Sequence, residues 1–491
     1  ACSPRTHEPL FQDTLKESGI NGYLVEMANI RNQDSWVHQN DPEAATVKAK
    51  DLVRMAIAKV TLADALPEIA VDMTQSALVI GGGIGGITAA LGVADQGFHT
   101  VLLEKEDKLG GNALNLETTW RGESIPKMLT DSINRVEQHP NITVYKKAVL
   151  ESASGGVGNF VSSVNVNGAV HEIQHGAAII ATGALEYEPA EYLYGEDDRV
   201  MTHLQFDGRV ARNSNASSVK DIRTIAFIQC VGSRDSERPY CSRVCCTHSV
   251  KSAIELKTEN PDCHVYIFYR DIRTYGERED LYRQALELGL MFIRFSIDQK
   301  PEVFIEDNQL IVKALDPVLQ RQLKISVDYL VLASAIVARQ DNQNLVALYK
   351  CGMNADGFFN EAHPKLRPVD LSAEGIFAAG LCHYPKPIEE TIAQALAAAG
   401  RAGVLLSKKT LMLPGTISKH NRELCMSCLA CYRGCPFGAI YIHEDGKVSH
   451  NEVKCTGCGI CAGVCPAKAF QVQNARDDQI IAMVDAYADG I

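Results

Sequence analysis

Cys425, Cys428, Cys431 and Cys435 stand in the spacing C-x2-C-x2-C-x3-C, with Pro436 behind the last of them. Thirty residues on, Cys455, Cys458, Cys461 and Cys465 repeat the pattern, again followed by a proline, Pro466. No other feature of the chain restricts its folding so strongly. Three closely spaced thiolates grip three irons of one cubane, and the fourth, before the proline, reaches across to the other. The spacing therefore assigns Cys425, Cys428, Cys431 and Cys465 to one [4Fe–4S] cluster and Cys455, Cys458, Cys461 and Cys435 to a second. A pair of zinc ribbons also uses C-x2-C steps, but zinc takes two ligands plus two and has no use for the third cysteine or the proline. Haem attachment is excluded, because no histidine follows a C-x-x-C pair.

The remaining composition narrows the setting. A net charge of −12 with no basic run argues against nucleic acid as a partner. No membrane span is expected, since the most apolar stretch, "ALVIGGGIGGITAALGV", is broken by six glycines. Sixteen cysteines without a signal peptide point to metal or redox chemistry in a reducing, cytoplasmic and anaerobic setting. The chain begins on Ala1, which reads as other than a native start.

Six segments follow from the pattern. Residues 1–72 form a small N-terminal α/β domain, read as truncated, with a helix over "THEPLFQDTLKESG", a strand over "YLVEMANI" and a helix over "DPEAATVKAKDLVRMAIAKV". Residues 73–220 and 347–412 are two parts of a dinucleotide-binding domain, interrupted by a second Rossmann-like domain at 221–346. Residues 413–475 are the two-cluster ferredoxin domain, and 476–491 a closing amphipathic helix. The fold class is α/β, a thioredoxin-reductase-like two-Rossmann core with the small domain before it and the ferredoxin domain behind.

The stretch "ALVIGGGIGGITAALGVADQGFHTVLLEK" supplies strand, G-x-G-x-x-G, helix, strand and acid in order. Gly81 makes the tight turn, Gly83 lets the backbone approach a pyrophosphate, and Gly86 lets helix and strand pack closely. The helix N-terminus near Gly85 offers free N–H groups and positive dipole. Glu104 ends the second strand, with Lys105 after it, where a carboxylate binds ribose hydroxyls. FAD is preferred over NAD because "AAIIATG", ending Ala181-Thr182-Gly183, is the strand and turn that close a flavin domain, and "GIFAAG", ending at Gly380, resembles the late motif of the same fold. Gly111 lies in the loop "KLGGNALN" after the second strand. An Asp usually follows the late glycine to bind the ribityl chain; here Leu381 stands in its place. In "PKPIEETIAQA", Pro387 and Ile388 open a helix whose N-terminus would face the flavin pyrimidine edge, although the same string also reads as an ordinary proline-started helix.

In the second Rossmann-like half, the strand "TIAFIQ" runs into "CVGSRD", with one glycine where a nicotinamide pyrophosphate needs three. NADH or NADPH binding is therefore not expected. Cys230, Cys241, Cys245 and Cys246 converge instead on the strand's C-terminal end. They suit a further [4Fe–4S] cluster of unorthodox spacing, a buried thiol group, or a vicinal disulfide at Cys245–Cys246. The dithiol positions of disulfide reductases carry no C-x-x-C pair, so the chain is not itself a dithiol–disulfide oxidoreductase.

With these residues in hand, the chain resembles the A-type subunit family of heterodisulfide reductases. "ACSPRTHEPLF", "EMANIR", "SWVH", "IQCVGSRD…PYCSRVCC", "GFFNEAHPKLRPVD" and the double ferredoxin motif carry the resemblance nearly end to end. It implies one FAD and a third cluster on Cys230, Cys241, Cys245 and Cys246. It also implies partner subunits of the B and C type, a hydrogenase or formate dehydrogenase module for electron input, and ferredoxin as an acceptor; a homodimer within the larger complex is expected. Lys386 resembles the family's Pro-Lys pair beside the flavin and is named as a tuner of its potential, against the plain alternative of a surface lysine. Many family members carry a further ferredoxin-like insertion before the "ATG" strand, which this chain lacks. Cys2 is a candidate ligand whose partners are missing. The expected activity is flavin-based electron bifurcation; the rivals are a one-way flavin and iron–sulfur relay, an NAD(P)H-dependent iron–sulfur flavoprotein, and an assembly scaffold with a structural FAD. His7, His38, His248 and His383 have no metal-ligand spacing and read as structural.

Overall fold

Apolar runs of five or so residues ending in glycine, each followed by a helix, make parallel sheets buried on both faces. Two such sheets organise the larger part of the chain. The computed structural model describes residues 4–212 and 220–489, so Cys2 lies outside the described residues. These divide into two compact units, one of residues 74–154 and 160–407, the other of residues 1–73, 155–159 and 408–491.

In the first unit, one sheet has the strand order Glu361–His363, Arg367–Leu371, Ile376–Ala378, Ala177–Ile180, Ser76–Ile80, His99–Leu103, Ile142–Tyr145. Its last five strands are parallel. Helices Ile84–Ala94 and Ile388–Leu406 cover one face together, and they approach closely because Gly92 faces Ala399. Leu78, Ile80, Val101, Leu103, Phe160 and Val164 fill the core against the sheet.

The other sheet is wholly parallel, in the order Val200–Thr202, Tyr329–Ser334, Thr224–Val231, His264–Tyr269, Met291–Arg294. Phe227, Val265 and Ile267 pack beneath helix Cys245–Glu259, while Phe268, Leu330 and Leu332 pack with the antiparallel strands Gln309–Asp316 and Arg321–Val327. The second Rossmann-like region therefore starts before the sequence-based limit of 221, since Val200 already pairs with Leu330. At its far end Leu345 and Tyr349 belong to the core of the flavin-type sheet. The two regions are joined by the antiparallel pair Ala184–Glu186 and Ile336–Ala338.

The second unit unites the N-terminal segment with the cysteine-rich residues, which the sequence pattern divides into separate domains. Strand Ile69–Asp72 pairs antiparallel with Thr410–Leu413, and helix Asp477–Ala488 packs on helix Pro42–Val60. Asp41 caps the latter helix by accepting from Ala44 N–H at 3.1 Å. The expected strand over Tyr23–Ile30 is not formed. Its backbone has no neighbouring strand; the Tyr23 hydroxyl instead accepts from Gly415 N–H at 2.8 Å, and the chain turns into a short helical segment at Arg31–Ser35. Within the cysteine-rich part, two short helices, Ala430–Gly434 and Ile460–Val464, pack on each other over two antiparallel strand pairs. No helix among the described residues is long and apolar enough to cross a membrane.

Candidate flavin and iron–sulfur sites

The turn after Ser76–Ile80 leaves no room for side chains. Gly81 has φ +110°, and a Cβ there would lie 2.4 Å from the Ala181 carbonyl oxygen. A Cβ on Gly86 would meet the Gly81 oxygen at 1.7 Å. Gly83 caps helix Ile84–Ala94 in extended conformation with no side chain on the first-turn N–H groups, so these are left for a ligand. Gly111 abuts Gly83, and Gly85 abuts Thr391 and the Gly380 turn. Segments far apart in the chain thus meet at one cradle. Glu104 is buried at its rim, with Oε2 accepting from Gly82 N–H at 2.7 Å and Oε1 from Glu106 N–H at 2.8 Å, which leaves further lone pairs in a fixed direction. Lys105 extends to the surface and pairs with Asp341 at 3.1 Å.

On the opposite side, Thr182 Oγ1 donates to Asn342 Oδ1 at 3.1 Å beside Gly183, whose φ is +74°. Gly380 N–H donates to Gln394 Oε1 at 2.9 Å. Leu381 packs with Ala184, Tyr240 and Phe358, an apolar contact where the usual acid would stand. Pro387 is the N-cap of helix Ile388–Leu406 and leaves its first N–H groups uncapped by any side chain. Lys386 is buried, with Nζ donating to the Gly380 carbonyl at 2.6 Å and the Tyr384 carbonyl at 2.8 Å. Burial lowers its pKa to about 8. A plain surface lysine is thereby ruled out. The cradle fits a dinucleotide: a glycine turn that a Cβ would close, two uncapped helix N-termini and an oriented carboxylate.

The second site lies where Thr224–Val231 ends. Pairing with Tyr329–Ser334 shifts register between Ile228 and Val231, and Cys230 within that bulge has φ +62°. Cys245 and Cys246 open helix Cys245–Glu259, and with Cys230 and Cys241 they line one small cavity together with Arg234 and Arg243. All four are free thiols. Burial raises Cys230 and Cys245 and pushes Cys246 up to about 12, and the neighbouring thiols add to each rise. Four mutually opposed thiolates suit a polycationic core. Donors are already in place: Arg243 N–H lies 3.3 Å from Cys241 Sγ and Arg234 Nη1 3.8 Å from Cys230 Sγ. The Arg243 guanidinium also donates to Glu390 at 2.9 Å and the Pro385 carbonyl at 3.3 Å, which joins this site to the head of helix Ile388–Leu406. Arg243, Glu390, Asn342 and Gln394 carried no motif, and their roles depend on contacts with distant segments.

In the cysteine-rich part, Cys435, Cys455, Cys458 and Cys461 share one cavity with Ser418 and His450. The Cys431 thiol is raised by burial and by the charges of Cys465 and Cys428, which places those three together. Cys425 packs against the same small core as Cys431. Ala439 N–H lies 3.4 Å from Cys435 Sγ and Ala469 N–H 3.2 Å from Cys465 Sγ, matching donors in the two repeats. These thiols fit two clusters, each ringed by N–H groups. Two residues outside the sequence motifs stand beside them: His420 stacks on Phe470 at 4.3 Å, and His450 meets the same ring edge-on at 5.9 Å. Their offset of thirty residues, equal to that of the cysteines, was the signal available.

Residues 75–223 match the pyridine nucleotide-disulphide oxidoreductase family, and residues 424–469 the 4Fe-4S dicluster domain. The second A-type iron–sulfur subunit of the CoB–CoM heterodisulfide reductase of Methanopyrus kandleri is 35% identical, over 91% of this chain and 82% of its own length. The chain belongs to the A-type subunit family of heterodisulfide reductases. The A-type subunit of the H2:CoB-CoM heterodisulfide,ferredoxin reductase of Methanothermobacter thermautotrophicus is also 35% identical, over 99% of this chain and 87% of its own. That alignment runs over 582 positions, 91 more than this chain has residues. Among solved structures, Lactococcus lactis thioredoxin reductase covers 68% of this chain and 99% of its own at 16% identity, with a TM-score of 0.47. As a member of the family the chain is an oxidoreductase of the iron–sulfur flavoprotein class, with a thioredoxin-reductase-like α/β core.

Proposed function

We propose that this chain is the FAD-bearing electron-transfer subunit of a heterodisulfide-reductase-like complex and that its flavin electrons are split between two iron–sulfur routes. When bound, FAD supplies the exchange between two-electron and one-electron carriers. In this reading Gly81, Gly83, Gly85, Gly86 and Gly111 shape the pyrophosphate cradle, and the carboxylate of Glu104 accepts the ribose hydroxyls. Ala181, Thr182, Gly183, Gly380, Leu381, Pro387 and Ile388 frame the ring system, with the dipole of helix Ile388–Leu406 favouring negative charge there. Lys386 adds a cation held by two carbonyls. Cys230, Cys241, Cys245 and Cys246 hold a third [4Fe–4S] beside the two of the ferredoxin domain.

The observation that carries this reading is the reach of Arg243, which follows Cys241 by two residues and binds Pro385 and Glu390 next to Lys386. Thiols stand beside the flavin-facing helix where a hydride donor would dock. The printed names of relatives join hydrogen or formate, the CoB–CoM heterodisulfide and ferredoxin, which supports B- and C-type partner subunits, a hydrogenase or formate dehydrogenase module and a homodimeric complex. A one-way relay is the second reading, favoured by the surplus of alignment positions over this chain's length, which agrees with an absent insertion.

An EPR-monitored reductive titration of the anaerobically purified holoprotein tests the proposal. Three cluster signals and flavin uptake of both electrons in one wave are expected. Two widely separated one-electron waves would replace bifurcation by the relay, and two cluster signals alone would make the Cys230 group structural. NADH and NADPH are expected to leave the flavin unbleached.

A further inference from the structure

The two halves of the ferredoxin domain share more than their cysteines. His420-Asn421 precedes Cys425 at the same distance as His450-Asn451 precedes Cys455. Both asparagines do the same work: Asn421 Oδ1 accepts from Glu423 N–H at 3.0 Å, and Asn451 Oδ1 from Val453 N–H at 3.0 Å. Strand register repeats as well, with His420 opposite Phe470 and His450 opposite Ile440, each the fifth residue after Cys465 or Cys435. The fold thus presents each imidazole in the same way to its own half.

Nε2 of each histidine is buried and has no hydrogen-bond partner among the described residues. One orphaned polar atom in a packed domain is uncommon, and a pair related by the repeat calls for a common acceptor. His450 lines the cavity that also holds Cys435, Cys455, Cys458 and Cys461. With four thiols already there, a fifth ligand has no place, and the acceptor that fits is sulfur.

Resting on the assignment of these eight cysteines to two [4Fe–4S] clusters, we propose that His450 and His420 each donate an Nε2–H hydrogen bond to the sulfur of the cluster in their own half. Such donors stabilise the more negative reduced cluster and raise its potential. They are positioning residues for electron transfer, paired across Phe470.

The test is a redox titration, followed by EPR, of anaerobic holoprotein carrying His450→Phe, His450→Gln or His420→Phe. Phenylalanine keeps the aromatic packing and removes the donor; glutamine keeps an N–H. His450→Phe should shift one cluster of the pair about tenfold toward its oxidised form at fixed potential, about 59 mV for one electron. His420→Phe should shift the other, and His450→Gln should return most of the change. Two clusters present at unaltered potentials in both Phe variants would overturn the inference alone. Absence of two ferredoxin-type signals from the wild-type protein would overturn the cysteine assignment, and the inference with it.

Discussion

At Gly86 one methyl group decides whether strand and helix can close. Gly86→Ala places carbon 1.7 Å from the Gly81 oxygen, so the turn must open. We expect a loss of about 3 kcal/mol or more and protein purified without flavin absorbance. His175 shows another residue-scale effect. It is fully buried between Ser162 and the Ala177 carbonyl, and burial lowers its pKa to about 4. The unfolded chain takes up this proton near pH 6.5 and the folded chain does not, so the associated stability is complete above pH 6.5 and is lost as pH falls toward 4. At 1.36 kcal/mol per unit, about 2 kcal/mol is gone by pH 5. Urea midpoints of His175→Phe should fall less steeply between pH 7 and pH 5 than those of the wild type. Residues of this kind differ in legibility. Gly81, Gly83 and Gly86 announce themselves because a turn near a pyrophosphate admits no side chain. Gln394 and Asn342 carry no local signal, since their partners are Gly380 and Thr182.

Among elements, helix Ile388–Leu406 combines a buried alanine face with exposed positions that packing does not decide. Gly400 is exposed within it, and a Cβ there would meet nothing within 4 Å. Gly400→Ala should therefore stabilise by about 0.5–1 kcal/mol, measured as a raised unfolding midpoint. The joint between the N-terminal segment and the cysteine-rich residues is more exacting. Asn474 donates to the Tyr23 and Asp64 carbonyls at 3.2 and 3.0 Å and accepts from Asp64 N–H at 2.8 Å. Asn474→Ala removes all three bonds, about 1 kcal/mol each. Residues 1–73 should become more open to limited proteolysis, while the flavin absorbance stays unchanged. Helices here were readable from period and caps, as Asp41-Pro42 shows. Tyr23–Ile30 was not: its β-forming residues have no strand to pair with, and pairing is a tertiary matter.

For the whole molecule, the iron content distinguishes the readings. Three clusters require about twelve irons per chain, two about eight. Cys241→Ser with Cys245→Ser should lower the content by about four irons and leave the two ferredoxin-type EPR signals in place; iron unchanged from wild type would show that the Cys230 group binds none. What the sequence determined by itself was chemistry of short range. Ligand spacing, glycine turns and helix starts act over a few residues, so flavin and cluster classes, the α/β core and the ferredoxin repeat could be read from the letters. Only the tertiary structure decided that four thiols after Thr224–Val231 share one cavity, that Arg243 ties them to Pro385 and Glu390, and that the N-terminal segment packs with the cysteine-rich residues. Those outcomes depend on side chains and strands far apart in the chain, which meet only when both sheets have closed.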